Sequence, residues 1–525
     1  MAHGSLAFVL HAHLPYVRHP EHEDFLEERW LFEAITETYI PLLEALDALD
    51  RDRVPARLTL SLSPPLLGML ADPLLRRRYL RHLDHLVELA EKEERRTRPL
   101  PEFHGLAEMY LARFYRARAV FLDEWQQDLT GAFRTFQERG LIDVITCAAT
   151  HGFLPLLSVS PAAVRAQIEV AASEYRRFFG RPLHGFWLPE CAYQPGLDAE
   201  LARVGIRYFF VDTHGIANAT PRPVYGVYAP IACDSGVAAF GRDPDSSKQV
   251  WSAEEGYPGD SWYRDFYRDI GFDLDYGYVR PYLPPTGQRI HTGVKYHRIT
   301  GKTDHKEPYD PARARQQAEA HAAHFVDARR RQVEWLARSM DRPPIIVCPY
   351  DAELFGHWWF EGPLWLELVL RRLATTPEVA SVTPRDDLER HSTVQRATPA
   401  ASTWGWKGYN EVWLSGQNDW IYRHLHAAAD RLQTLCRRYP SADERTRRAL
   451  TQALRELFLA QASDWAFMMS RETTTEYAVR RTHDHVLRCL ELCTALERVD
   501  IDDHRLAALE DSDNLFPTLD YRLLV

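Results

Sequence analysis

The apolar run Ser5-Leu6-Ala7-Phe8-Val9-Leu10 ends abruptly in His11-Ala12-His13, and the same event recurs along the chain. Residues 57–62 run into Ser63-Pro64-Pro65, residues 142–147 lead to His151, and residues 184–188 lead to Pro189-Glu190. Residues 207–211 lead to Asp212-Thr213-His214, and residues 344–348 lead to Tyr350-Asp351. Short apolar runs without alternation fit strands buried on both faces, as in a parallel sheet. Helical periodicity lies between several of them, as in residues 33–49 and 161–179. This alternation predicts an α/β fold with its chemistry at the carboxyl ends of the strands.

Two stretches depart from that rhythm. Residues 72–140 are polar and helix-rich (76–94, then 109–139) and read as a helical insertion between two strands. Residues 218–303 are rich in Gly, Pro, Tyr and Asp, which suggests a shaped, irregular surface. From about residue 397 the pattern changes again, and 421–439, 442–469 and 475–496 read as amphipathic helices. The expected organisation is an α/β unit over 1–396, with the insertion inside it, and a helical C-terminal domain over 397–525.

Composition removes several classes. The 525 residues carry 63 Lys+Arg against 74 Asp+Glu, a net charge of −11, which disfavours nucleic acid or an anionic membrane as partner. No stretch approaches the roughly 20 apolar residues of a membrane span. The first apolar run is cut by His11 and His13, so it does not read as a signal peptide. Seven scattered Cys without a C-x-x-C pair fit a reducing, cytoplasmic setting. There is no G-x-G-x-x-G after a strand, no Walker-type loop and no G-x-S-x-G elbow.

Glu190, in Trp187-Leu188-Pro189-Glu190, and Asp351, in Pro349-Tyr350-Asp351, are carboxylates on two strand ends among Trp and Tyr. Glycoside chemistry needs such a pair: one group attacks the anomeric centre while the other protonates the leaving oxygen. The bland alternatives are a capping or ion-paired Glu and a structural Asp. His11 and His13 are expected on opposite faces of their strand unless a bend at Leu14-Pro15 turns both inward. With an Asp, and with His151, His184 or His214, they could form a zinc site of a metal-dependent deacetylase; otherwise they bind hydroxyls or pack. Trp404, Trp406 and Trp413 open the helical region, to bind a ligand or to fill a domain interface. Asp464 interrupts an apolar helix over 457–469, where it needs an Arg or a ligand.

Five blocks in order carry a resemblance. They are His11-Ala12-His13-Leu14-Pro15-Tyr16, His151-Gly152-Phe153-Leu154-Pro155, Trp187-Leu188-Pro189-Glu190, residues 350–358, and residues 404–413. Together they resemble glycoside hydrolase family 57, and within it 1,4-α-glucan branching enzymes and a related group labelled α-amylases. The resemblance implies an incomplete (β/α)7 barrel and a retaining mechanism with no metal or other cofactor. It makes Glu190 the nucleophile, Asp351 the general acid/base, and α-glucan the partner; it assigns no oligomeric state. Retention implies carboxyl groups about 5–5.5 Å apart. The resemblance also implies substrate contacts from His11, His13, His151, His357, Trp187, Trp358, Trp404 and Asp464, with Trp30, Trp413, Arg264 and Gly293 as further binding positions. Branching enzymes carry a flexible loop with a Tyr over the site. Residues 231–242, taken as its counterpart, contain no Tyr, and Phe272 stands where a Trp is expected. Both departures imply appreciable hydrolysis beside transfer.

Overall fold

Ten strands build one sheet in the computed structural model, which describes residues 2–252, 255–391 and 394–525. They are β1 (Gly4–Ala12), β2 (Leu58–Leu62), β3 (Ile142–Cys147), β4 (Gly185–Trp187), β5 (Tyr208–Val211), β6 (Ile231–Ala232), β7 (Ala238–Gly241), β8 (Ile345–Asp351), β9 (Val379–Ser381) and β10 (Gln395–Arg396). The order is β10-β6-β7-β5-β4-β3-β2-β1-β8, with β9 on β1. From β8 through β1, β2, β3, β4 and β5 to β7 every pairing is parallel, giving seven parallel strands. Among the described residues no ladder joins β7 to β8; the Asp243 amide donates to the Val347 carbonyl at 3.0 Å across that seam. This is the incomplete (β/α)7 barrel with its helical C-terminal region.

All six apolar runs became strands because both faces of each are covered. On β1, Leu6, Phe8 and Leu10 pack outward into the main core, whereas Ala7 and Val9 join Ile145, Trp187 and Phe210 inside the barrel. β7 was not foreseen: its Ala-Ala-Phe-Gly sequence is four residues long and sits in the Gly- and Pro-rich stretch.

Residues 72–140 are helical, over Pro73–Thr97, Pro101–Ala119 and Leu129–Glu138. Asp72 and Asp128 start the first and third of these by accepting hydrogen bonds from free first-turn amides. Beyond residue 397 the α-helices are Trp420–Arg438, Glu444–Ala460, Ser463–Arg471, Thr475–Arg498 and Asp503–Ser512. The expected continuous helix through 457–469 is therefore wrong. The chain breaks at Gln461 and Ala462, where Ala462 bridges Gly152 and the Ser463 amide donates to the His151 carbonyl at 3.1 Å. Pairing with the barrel rim replaces two helical hydrogen bonds, and Asp464 falls in the first turn of the new helix.

Residues 231–242 also depart from expectation. They form an antiparallel hairpin, β6 to β7, closed tightly by the Cys233 amide on the Val237 carbonyl. β7 runs parallel to β5, so the turn before it lies at the foot of the barrel, opposite the rim. This stretch is not a lid; only Arg242, just after β7, reaches the rim.

Candidate active site

Glu190 follows β4 within a short turn, Pro189–Cys191, and holds left-handed backbone angles, φ 62° and ψ 24°. His151, after β3, has φ 58°, and Cys191 has φ 50°. Such angles cost a non-glycine residue on the order of 1–2 kcal/mol and concentrate where function fixes a side chain. Glu190 is tied twice to Trp404: the indole Nε1–H donates to Oε2 at 2.7 Å, and the Trp404 amide donates to the Glu190 carbonyl at 3.1 Å. Asp351 ends β8 and lines the same cleft, of about 390 Å³.

Burial pushes Glu190 up to about 8, with the charges of Asp351 and Asp464 adding to it and the Trp404 donor opposing. Burial likewise pushes Asp351 up to about 7, opposed by Arg242 and His13. Both carboxyls are thereby held toward their protonated forms, and the charge of Asp351 raises Glu190 further. The indole donor bonds only an acceptor oxygen, and so favours the charged form on Glu190.

The three histidines meet beneath the carboxylates. His11 and His13 both point into the cleft. The expectation of opposite faces was a miscount, since residues two apart on a strand share a face and no bend is needed. His11 Nε2 and His151 Nε2 are 2.9 Å apart, and their outer nitrogens meet Ser61 and Ser463 at 3.0 and 2.8 Å. Burial holds both imidazoles well below the usual histidine range, so this is a neutral hydroxyl–imidazole–imidazole–hydroxyl chain. His13 donates from Nε2 to Asp464 at 3.1 Å and meets Ser63 through Nδ1 at 2.8 Å. Thus Asp464 finds a histidine as partner, delivered by the helix break described above.

His13, His151 and Asp464 lie close enough to share a cation. However, the His13 and His151 rings are stacked 3.9 Å apart at 13°, so an ion in the plane of one lies outside the plane of the other. Every ring nitrogen of the three is also engaged in the hydrogen bonds above. His184 and His214 do not complete a metal set. His184 precedes β4 at the foot of the barrel, and His214 bonds Asp212 and the Gly408 carbonyl. The geometry is that of a hydrogen-bonding platform.

The cleft also gathers Trp358, Trp404, Trp413, Trp406 and Phe467. Trp413 is almost wholly buried, stacked on Phe153 at 4.8 Å, whereas Trp406 is exposed. Other expected residues are placed elsewhere. Trp187 has no exposed surface and stacks under His11 at 4.7 Å, so it supports the floor without facing a ligand. Its inward position on β4 puts it inside the barrel. Trp30 packs edge-on against Tyr477 outside the cleft. His357 bonds Glu37 at 2.6 Å, Arg264 bonds the Tyr110 hydroxyl at 3.2 Å, and the Gly293 amide donates to Asp269 at 3.0 Å. His357 and Gly293 line none of the clefts described, while Arg264 reaches a second one. Phe272 packs on His291, also outside.

Several residues went unread. Arg242 lines the cleft, held by Ser247 at 2.7 Å and Asp212 at 3.3 Å. The only signal was its place after a strand too short to register. Glu353, two residues past Asp351, accepts from Tyr39 at 2.5 Å and from the His13 amide at 3.2 Å, and burial pushes it up to about 8. Its spacing from Asp351 was visible, its partners were not.

An open parallel barrel with two half-buried carboxylates in an aromatic-walled cleft defines a carbohydrate-active class of protein. The sequence profile of glycosyl hydrolase family 57 matches residues 7–399, and that of the 1,4-alpha-glucan branching enzyme C-terminal region matches 424–524. The chain belongs to glycosyl hydrolase family 57. It is 34% identical to a 1,4-alpha-glucan branching enzyme of Thermococcus kodakarensis, over 98% of this chain and 77% of that protein. Among solved structures it is similar to the alpha-amylase AmyC from Thermotoga maritima, with 45% identity, TM-score 0.93, and 99% of each chain covered. It is also similar to a branching enzyme of this family from Pyrococcus horikoshii, with 32% identity and TM-score 0.90, over 100% of this chain and 97% of that one.

Proposed function

We propose that the chain is a 1,4-α-glucan branching enzyme. It cleaves α-1,4 linkages and moves the released chain to a 6-hydroxyl by retaining double displacement. The observation that carries this reading is where the branching-enzyme C-terminal region lies. The helix Ser463–Arg471, inside the matched 424–524, contributes Asp464, Phe467 and Arg471 to the cleft that holds Glu190 and Asp351.

In this reading Glu190 is the nucleophile. Its left-handed turn aims the carboxylate, and the Trp404 indole N–H keeps charge on Oε2 while Oε1 attacks C1. Asp351, protonated, gives its proton to the leaving oxygen, then accepts one from the incoming hydroxyl. His13, fixed between Ser63 and Asp464, and the neutral His11–His151 pair offer directional hydrogen bonds to sugar hydroxyls. The aromatic walls exclude water and take the C–H faces of the rings.

Incubation with amylose tests it, following α-1,6 signals by proton NMR beside released reducing ends. Glu190→Gln and Asp351→Asn each lower branching by at least about 10³-fold. Reducing ends in excess of new branches support the second reading, an α-amylase on the same scaffold; redistributed α-1,4 chains with neither branches nor reducing ends support a 4-α-glucanotransferase there. One observation favours some hydrolysis: the 45% identity to the Thermotoga maritima amylase. We further read 1–396 as the catalytic unit, 72–140 as its insertion and 397–525 as a helical domain. We read its role as storage-glucan synthesis, and all seven cysteines are free and buried, which supports a cytoplasmic setting.

A further inference from the structure

Two clefts meet at Asp351. The first holds both carboxylates; the second, of about 510 Å³, is lined by Asp351, Trp251, Trp358, Phe266 and Tyr267 but not by Glu190. Asp351, Trp251 and Trp358 line both, so the clefts are two arms of one groove. Trp358 is 53% exposed and lies on Phe266, with centroids 4.3 Å apart at 29°. Phe266 is itself fixed by Lys295, whose Nζ sits 4.7 Å from the ring centroid and donates to the Phe266 carbonyl at 2.5 Å. Lys295 is anchored 3.6 Å from buried Asp269. An indole this exposed and this firmly held is a ready-made platform for an apolar ring face.

We propose that the arm built on Phe266 and Trp358 receives first the leaving chain and then the acceptor glucan, and so governs partition between transfer and hydrolysis. This rests on Glu190 as nucleophile and Asp351 as acid/base. In the first half-reaction the C1–O4 bond breaks as C1–Oε1 forms, and the Asp351 proton goes to O4. In the second, the acceptor's O6–H proton goes to Asp351 as C1–O6 forms and the ester bond breaks. Departing and entering oxygens therefore both lie against Asp351, and the donor sugar lies over Glu190. The arm reaching Asp351 without Glu190 is on the leaving and acceptor side. The arm under Trp404 holds the donor.

α-Maltosyl fluoride separates the two arms, because fluoride leaves without occupying a chain-binding site. Fluoride release reports donor use, and chromatography reports transfer to added maltoheptaose. For Trp358→Ala the ratio of transfer to fluoride release falls about tenfold below wild type. Phe266→Leu shifts it the same way, and Trp358→Phe restores most of it. Trp358 is half exposed, so its truncation leaves no core cavity; Phe266→Leu serves as an independent second variant. An unchanged ratio, with both rates falling in step, would place the donor in this arm and overturn the proposal. Glu190→Gln guards the reading beneath: fluoride release at the wild-type rate in that variant sinks the nucleophile assignment, whatever Trp358 does.

Discussion

In the proposed mechanism the charge on Glu190 depends on one indole. Trp404 Nε1–H stabilises the ionised carboxylate more than the neutral acid, so Trp404→Phe raises the Glu190 pKa and moves the acid limb of the pH–kcat/KM profile to higher pH. A rate loss of about 10²-fold is expected at neutral pH; an unmoved acid limb would remove Trp404 from this role. The carboxylate pair was legible in sequence because Glu190 and Asp351 each follow an apolar run directly. The serines behind the histidines were not, since Ser61, Ser63 and Ser463 look like ordinary polar residues until the strands and the helix break bring them to ring nitrogens. Arg242 was hidden for the same reason: its partners Asp212 and Ser247 belong to other elements.

At the scale of elements, the Phe355-Gly356-His357 block shows what a motif glycine is for. Gly356 has φ 110°, and a Cβ there would sit 1.8 Å from the Glu37 carbonyl oxygen. Glu37 belongs to the π-helical turn Ile35–Tyr39, which carries both the His357 partner and Tyr39, the donor to Glu353. Gly356→Ala forces these elements apart, with a cost of roughly 3 kcal/mol and loss of activity; an unchanged thermal midpoint would refute this. The helix break at residues 461–462 is the complementary case. Its sequence is apolar and helix-compatible, and only pairing with Gly152 and His151 makes interruption favourable. Periodicity alone could not locate it, because the competing hydrogen bonds come from residues about 310 positions away.

For the whole molecule, carboxyls raised by their poorly hydrated surroundings give a pH dependence of stability. Glu190 and Glu353 are pushed up to about 8, and Glu33, Asp351 and Glu361 to about 7, all led by burial. In the unfolded chain carboxyls ionise near pH 4, so between these limits the folded state holds more protons. Stability is then present at low pH and falls as pH rises through about 7–8, by about 1.4 kcal/mol per pH unit for each extra proton held. Denaturant midpoints at pH 6.5 and 8.5 check the sign, and a higher midpoint at pH 8.5 would contradict it. Glu353→Gln keeps an acceptor for Tyr39 and the His13 amide, so it folds normally and flattens the slope. The six apolar runs by themselves announced a parallel sheet in an α/β fold, because strands covered on both faces must be apolar throughout. The same logic announced which residues stand at the rim. Tertiary structure alone decided that the barrel stays open between β7 and β8, that residues 231–242 turn at its foot, and that Asp464 enters the cleft. Each of these depends on hydrogen bonds between segments remote in the chain, and local periodicity carries no record of them.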